Sequence, residues 1–150
     1  MKQIVICDLD GTLADCEHRQ HHVRGPGKKN WKKFFDEMYA DPVVTDLNLV
    51  LQSLHRSFDI YFVSARPDNY RNLTEAWLYD QANWKPNGDD IQLIMREAGD
   101  FRADTVVKQE IYDRIKQEGH IIIAFDDRKS VVDMWRSNGV LCAQVQDHDF

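Results

Sequence analysis

The feature that most limits what this chain can fold into is its first apolar run, Lys2–Cys7 (KQIVIC), which stops abruptly at Asp8-Leu9-Asp10-Gly11-Thr12. A β-branched run without polar alternation is the pattern of a strand buried on both faces, and such a strand belongs inside a parallel sheet. The remaining sequence supplies the layers that sheet needs. Residues 45–55 carry Leu47, Leu51 and Leu54 at helical spacing, and residues 59–63 form a second apolar run. Further on, helices are expected around 70–81, over 105–118 before Gly119 and over Lys129–Ser137, with strands at 91–95, 120–125 and 140–145. Strands alternating with helices predict right-handed crossovers and an α/β fold, a three-layer Rossmann-like parallel sheet covered on both faces. Trp77, Trp84 and Trp135 fit as packing residues.

Composition narrows the class of chain. At 150 residues and 43% hydrophobic, a single domain over 1–150 is expected, large enough to bury a core without disulfides. Cys7, Cys16 and Cys142 are odd in number and form no CxxC pair, which points to a reducing, cytoplasmic setting. No apolar run approaches a membrane span, and no membrane partner is expected. The formal charge of −6 argues against generic nucleic-acid binding. One stretch departs from that average. Residues 18–35 hold Arg19, Arg24, Lys28, Lys29, Lys32 and Lys33 and no acidic residue, with Trp31, Phe34 and Phe35 interleaved. Gly25-Pro26-Gly27 breaks any helix there, so this stretch reads as a basic insertion after the first strand, about 15–41, with a short helix near 31–39. His18, His21 and His22 also fall in it, but no fourth zinc ligand stands out.

In parallel sheets ligands sit beyond the carboxyl ends of the strands, so those ends are where chemistry is expected. The first strand ends in Asp8 and Asp10, which strand alternation would send to one side. Two carboxylates so close call for a cation, and magnesium accepts oxygen ligands while keeping positions open for phosphate. The second strand runs into Ser64 and Arg66, both able to hydrogen-bond phosphoryl oxygens. Residues 120–125 lead into Asp126 and Asp127, and Lys108 stands near a helix start with Asp104 one turn before it, placed to fix the lysine.

This ordered set resembles the haloacid dehalogenase superfamily of aspartate-based phosphatases: Asp8–Thr12 (DLDGT), Ser64, Lys108 and Asp126-Asp127 follow its four motifs in order. The chain is most similar to the 3′-phosphatase domain of bacteriophage-type polynucleotide kinase/phosphatases. The further shared features are Arg19, Ser64-Ala-Arg66, Asp104-Thr-Val-Val-Lys108, Asp126-Asp-Arg and the tail from Val131 to Asp149-Phe150. No GxxxxGK[ST] phosphate loop stands in the sequence, so kinase activity is not expected of it.

The resemblance implies a haloacid dehalogenase-type fold in which the basic insertion is a small cap, and a Mg2+-dependent phosphatase. Asp8 would be the nucleophile that becomes an aspartyl-phosphate, and Asp10 the acid and then the base. Ser64 and Lys108 would hold the transferring oxygens, Arg19, Arg66 and Thr12 would contact substrate, and Asp104 would orient Lys108. Metal ligands would be Asp8, the Asp10 main-chain carbonyl and Asp127, with Asp126 assisting. The expected substrate is a 3′-phosphorylated DNA or RNA end, with a separate kinase or ligase as a partner. Two alternatives stay open: a phosphatase of nucleoside monophosphates or small phosphate esters, and a non-catalytic module that binds nucleic-acid ends.

Overall fold

The computed structural model describes residues 1–148; the Asp149-Phe150 end of the tail motif lies outside them. Ten named elements carry the fold: β1 (Lys2–Cys7), α1 (Trp31–Asp36), α2 (Thr45–Leu54), β2 (Asp59–Pro67), α3 (Arg71–Ala82), β3 (Ile91–Arg96), α4 (Asp104–Ile115), β4 (Gly119–Arg128), α5 (Lys129–Ser137) and β5 (Cys142–His148). The five strands form one all-parallel sheet in the order β3-β2-β1-β4-β5.

β1 lies at the centre because it is the run that can be buried on both faces: Ile4, Val5, Ile6 and Cys7 are all at or below 1% exposed. Period-two alternation then divides them. Val5 and Cys7 join Leu47, Leu51, Trp77, Leu78 and Trp84 on the face covered by α2 and α3. Ile4 and Ile6 join Val107, Ile111, Val131, Val132 and Trp135 under α4 and α5. Leu51 is fully buried, so truncating it to alanine costs about 2–5 kcal/mol by lost burial and a residual cavity.

The chain winds outward from β1 through β2 to β3, then crosses back to place β4 on the other side of β1. That reversal leaves a crevice at the carboxyl ends of β1 and β4, where doubly wound sheets bind ligands. Asp8 continues β1 by donating its amide to the Phe125 carbonyl at 3.0 Å, and Asp126 and Asp127 are still within β4. The topology alone therefore brings residues 8 and 126–127 together.

Between β1 and α2 the insertion forms a small separate layer. Its ends meet where Asp15 N donates to Pro42 O at 2.9 Å. It holds a 3₁₀ turn at Glu17–His22, α1 and a second 3₁₀ turn at Met38–Ala40. Cys16, Val23 and Phe34 make its own small core, with Phe35 packed against it. The helix expected near 31–39 is shorter than its apolar spacing suggested, because it ends at Asp36 and tightens into the second turn. No helix among the described residues is long and apolar enough to cross a membrane.

Candidate active site

A cavity of about 730 Å³ opens over the carboxyl ends of the strands. Asp8, Asp10, Lys108, Asp126 and Asp127 line it, as do Trp31, Lys32 and Phe35 of the insertion and Arg66, Tyr70 and Phe101 from neighbouring connections. The insertion therefore sits over the mouth, as expected from the strand end it leaves.

The two carboxylates of the first motif face different partners. Lys108 Nζ donates to Asp8 Oδ1 at 2.9 Å and to Asp126 Oδ2 at 3.0 Å. Thr12 Oγ1 lies 3.2 Å from both Asp8 Oδ2 and Asp127 Oδ1. Burial, with the Asp126 charge beside it, pushes the Asp8 carboxyl well up from its ordinary value, and Lys108 opposes that rise. Asp10 turns instead toward the insertion. Arg66 donates to it through Nε at 3.1 Å and through Nη2 at 2.6 Å, and Arg19 Nη2 also bonds Asp10 Oδ1. Despite burial, these two guanidinium groups hold the Asp10 carboxyl far below the usual carboxylate range. Strand alternation is not what orients the pair, because β1 ends at Cys7 and a turn follows, closed by Thr12 N donating to Leu9 O at 2.9 Å.

Asp8, Asp126 and Asp127 are all buried and offer carboxylate oxygens within 4.8 Å of one another, the one such acidic or mixed group among the described residues. Lys108 pairs with Asp8 and Asp126 while Asp127 meets His148, so three carboxylates have one ammonium among them and excess negative charge remains. Hard oxygen donors with uncompensated charge fit a magnesium ion. Asp126 is already occupied: Oδ2 takes Lys108 and the Trp135 indole N–H at 3.3 Å, and Oδ1 takes the Asp127 amide at 2.9 Å. Asp127 is braced from outside by His148 Nδ1, 2.8 Å from Oδ2. Gly11, at φ +81°, lets the turn pass: a Cβ there would run into Asp127 Oδ2 and come within 2.7 Å of His148 Nδ1.

The contacts within the site differ from those the spacing suggested. Asp104 does not fix Lys108; its two oxygens take Arg96 Nη2 at 2.6 Å and Arg128 Nη1 at 2.8 Å, guanidinium groups supplied by the ends of β3 and β4. One turn of spacing made the lysine contact available, but two arginines at closer range take the carboxylate. Arg19 and Arg66, expected to face substrate, are buried in their side chains and bonded to Asp10, and of the two Arg66 lines the cavity. Ser64 is buried too, with Oγ accepting the Arg66 amide at 3.1 Å. Among the described residues the histidines of the insertion form no three-ligand group: His18 Nε2 meets Asp41 Oδ1 at 2.7 Å, and His22, its ring 4.0 Å from that of His21, meets Glu37 Oε2 at 2.9 Å.

Two residues were not found from sequence. Asp41 closes the insertion and is buried, accepting Arg19 Nε at 2.8 Å and Nη2 at 2.5 Å, so it holds the arginine that grips Asp10. The signal available for it was weak: one of three acids, with Asp36 and Glu37, where the basic insertion ends before α2. His148 carried no local signal, since only the β4·β5 pairing brings it to Asp127.

Comparison with known proteins agrees with this geometry. The family model described as the polynucleotide kinase PNKP phosphatase domain matches residues 2–150. A protein of Autographa californica nuclear polyhedrosis virus, named as a bifunctional polynucleotide kinase/RNA ligase, is 27% identical over 135 residues, 88% of this chain and 17% of its own length. Two solved chains from Pnkp1/Rnl/Hen1 complexes, one described as an RNA repair complex, are each 29% identical. They superpose with TM-scores of 0.79 and 0.81 over all of this chain and 44% and 47% of theirs. The chain thus spans less than half the length of these relatives. A class C acid phosphatase from Bacillus anthracis, at 15% identity, 97% of this chain, 69% of its own and a TM-score of 0.60, shares the fold.

Proposed function

We infer, for a chain that belongs to the PNKP phosphatase-domain family of polynucleotide kinases and is a haloacid dehalogenase-type phosphatase, that it removes the 3′-phosphate from RNA or DNA ends through an aspartyl-phosphate on Asp8. The observation that carries the mechanism is the separation of the two motif carboxylates: Asp8 lies on Lys108 beside the acidic pair, and Asp10 is held by Arg19 and Arg66 at the same cavity.

Asp8 attacks phosphorus in line, the bond from phosphorus to the terminal O3′ breaks, and a proton from Asp10 goes to that oxygen. The incoming phosphate dianion competes with Asp10 for guanidinium, and each bond that Arg66 gives up lets the Asp10 carboxyl rise toward the range an acid needs. In the second step Asp10, again a carboxylate, takes a proton from the water that attacks phosphorus of the Asp8 acyl phosphate, breaking the P–O bond to Asp8 and releasing inorganic phosphate. Lys108 holds Asp8 in place and offsets its charge. Asp8, the Asp10 carbonyl and Asp127 would ligate magnesium, with Asp126 fixed by its three donors in a supporting place. When bound, that ion reduces the repulsion between Asp8 and the phosphate dianion.

RNA ends are favoured over DNA because the viral relative is named as a polynucleotide kinase/RNA ligase and the solved Pnkp1/Rnl/Hen1 assembly as an RNA repair complex. Those names also make a ligase the expected partner. The test measures phosphate released, in Mg2+, from a 3′-phosphorylated RNA oligonucleotide, its DNA counterpart, a 5′-phosphorylated oligonucleotide and a 3′-mononucleotide. Preference for the 3′-phosphorylated oligomers, lost in Asp8→Asn, is expected. Better turnover of the mononucleotide overturns the polynucleotide assignment, and release by Asp8→Asn removes Asp8 as nucleophile.

A further inference from the structure

The cavity that holds the carboxylates has two aromatic walls that the phosphoryl chemistry does not use. On the insertion side Trp31 is 40% exposed and stacks on Phe35, with ring centroids 5.9 Å apart and planes 24° apart. Phe35 leans on Tyr70 at 5.4 Å, and the Tyr70 hydroxyl donates to Asp36 Oδ1 at 3.0 Å, tying the insertion to the connection after β2. On the connection between β3 and α4, which lines the same cavity and is tied to the connection after β2 by Ala98 N donating to Asp68 Oδ1 at 2.9 Å, Phe101 stands 94% exposed. That ring is not loose. Arg96 Nη1 donates to the carbonyls of Asp100 and Arg102, at 3.0 and 2.6 Å, and the Arg102 guanidinium is clamped onto the Asp100 and Glu110 carboxylates. Both neighbours of Phe101 are therefore pinned while the ring is held in water at the mouth of the cavity. Keeping a phenylalanine in water forgoes the burial its ring could gain elsewhere, and a braced loop that does so suits a flat apolar ligand.

We propose that Phe101 and the Trp31–Phe35–Tyr70 wall form a clamp for one unpaired nucleobase, that of the nucleotide whose 3′-phosphate reaches Asp8. The proposal rests on the polynucleotide reading above. A cavity of about 730 Å³ is in the range of sites for single small molecules, so it takes one nucleotide and not a base-paired end. Base stacking on aromatic rings is tolerant of sequence, so the clamp recognises an end without selecting its base. Lys29 Nζ, 5.5 Å from the Trp31 ring centre, and the exposed Lys28 and Lys33 beside it continue the path with charge for the upstream phosphates.

The test compares a 3′-phosphorylated oligonucleotide with one whose terminal residue is abasic, and follows 2-aminopurine at the terminal position for stacking. A roughly ten-fold lower KM for the base-bearing end is expected, falling to a ratio near one in Phe101→Ala and in Trp31→Ala, with 2-aminopurine emission quenched by the parent protein and not by either variant. Phe101→Ala removes a ring that is 94% exposed, so its effect is not one of misfolding. A ratio near one in the parent protein, a ratio the variants keep, or equal KM for single-stranded and blunt duplex ends overturns the clamp. Quenching that persists while no phosphate is released from any 3′-phosphorylated oligonucleotide keeps the clamp and overturns the phosphatase reading instead.

Discussion

Asp41→Asn isolates the charge of a buried carboxylate with little change of shape. Asp41 receives two hydrogen bonds from Arg19 and lies 2.7 Å from His18 Nε2. Without its charge the wholly buried Arg19 guanidinium keeps Asp10 and the Phe34 carbonyl at 3.0 Å as partners. Removing one member of a buried ion pair costs about 3–5 kcal/mol when the other is left uncompensated; the partners Arg19 retains bring the expected loss to about 2–3 kcal/mol. For a domain of this size that lowers the melting temperature by roughly 5–10 °C. Urea denaturation of Asp41→Asn, Arg19→Met and the double variant closes a mutant cycle, with a coupling of at least about 1 kcal/mol expected. Arg19 is then no longer positioned by Asp41, so Asp10 is misplaced for proton transfer and kcat falls while Mg2+ affinity holds. A loss under about 0.5 kcal/mol with additive single variants would refute the claim that Asp41 anchors the Arg19–Asp10 contact.

Asp8→Asn lowers kcat by about a thousand-fold or more and has a defined pH signature in EDTA. The raised Asp8 carboxyl binds its proton more tightly folded than unfolded, so its contribution to stability is complete below about pH 4 and is lost as pH rises through the folded value. Thermal melts should therefore find Asp8→Asn more stable than the parent at pH 8 and equal to it near pH 4; the reverse order at pH 8 refutes the buried-charge account. Mg2+ at about a hundred times its dissociation constant should raise the parent melting temperature by roughly 5–10 °C, a shift absent in Asp127→Asn and kept in Asp10→Asn. Gly11→Ala places a methyl group against Asp127 and forces φ +81° on an alanine, so calorimetry should find Mg2+ affinity reduced about ten-fold or more.

The parts of the fold that could be read in advance are those whose cause is local. Ile4–Cys7 and Ile121–Phe125 are apolar because both faces are covered, and that is visible without a partner. The apolar runs understate β2 and β4, which continue to Pro67 and Arg128. Their polar ends stay in the sheet because β3 and β5 extend alongside them, Pro67 pairing with Arg96 and Arg128 with His148. Those same polar residues, Ser64, Arg66, Asp126 and Asp127, belong to the candidate site, so local pattern fails where polar contacts replace apolar burial. The closing strand starts at Cys142, two residues later than its apolar run, because Leu141 is 67% exposed and pairing with Ala124 begins at Cys142.

Which residues gather at the strand ends could be read from sequence, but their assignments to one another could not. Asp8 and Asp10 are one residue apart, and nothing in DLDGT says that one will face a lysine and the other two arginines. The difference is made by cations that arrive from afar. Lys108 comes from α4 on the face of Ile4 and Ile6, Arg66 from the end of β2, and Arg19 from the insertion, held in place by Asp41. Each reaches its carboxylate only after the sheet order is set, so spacing rules that work within a helix misassign Asp104 and leave Asp41 and His148 unseen. A substitution that moves the insertion should for that reason change Asp10 before it changes Asp8, and the arginine contacts are where the cap and the chemistry of the sheet become one unit.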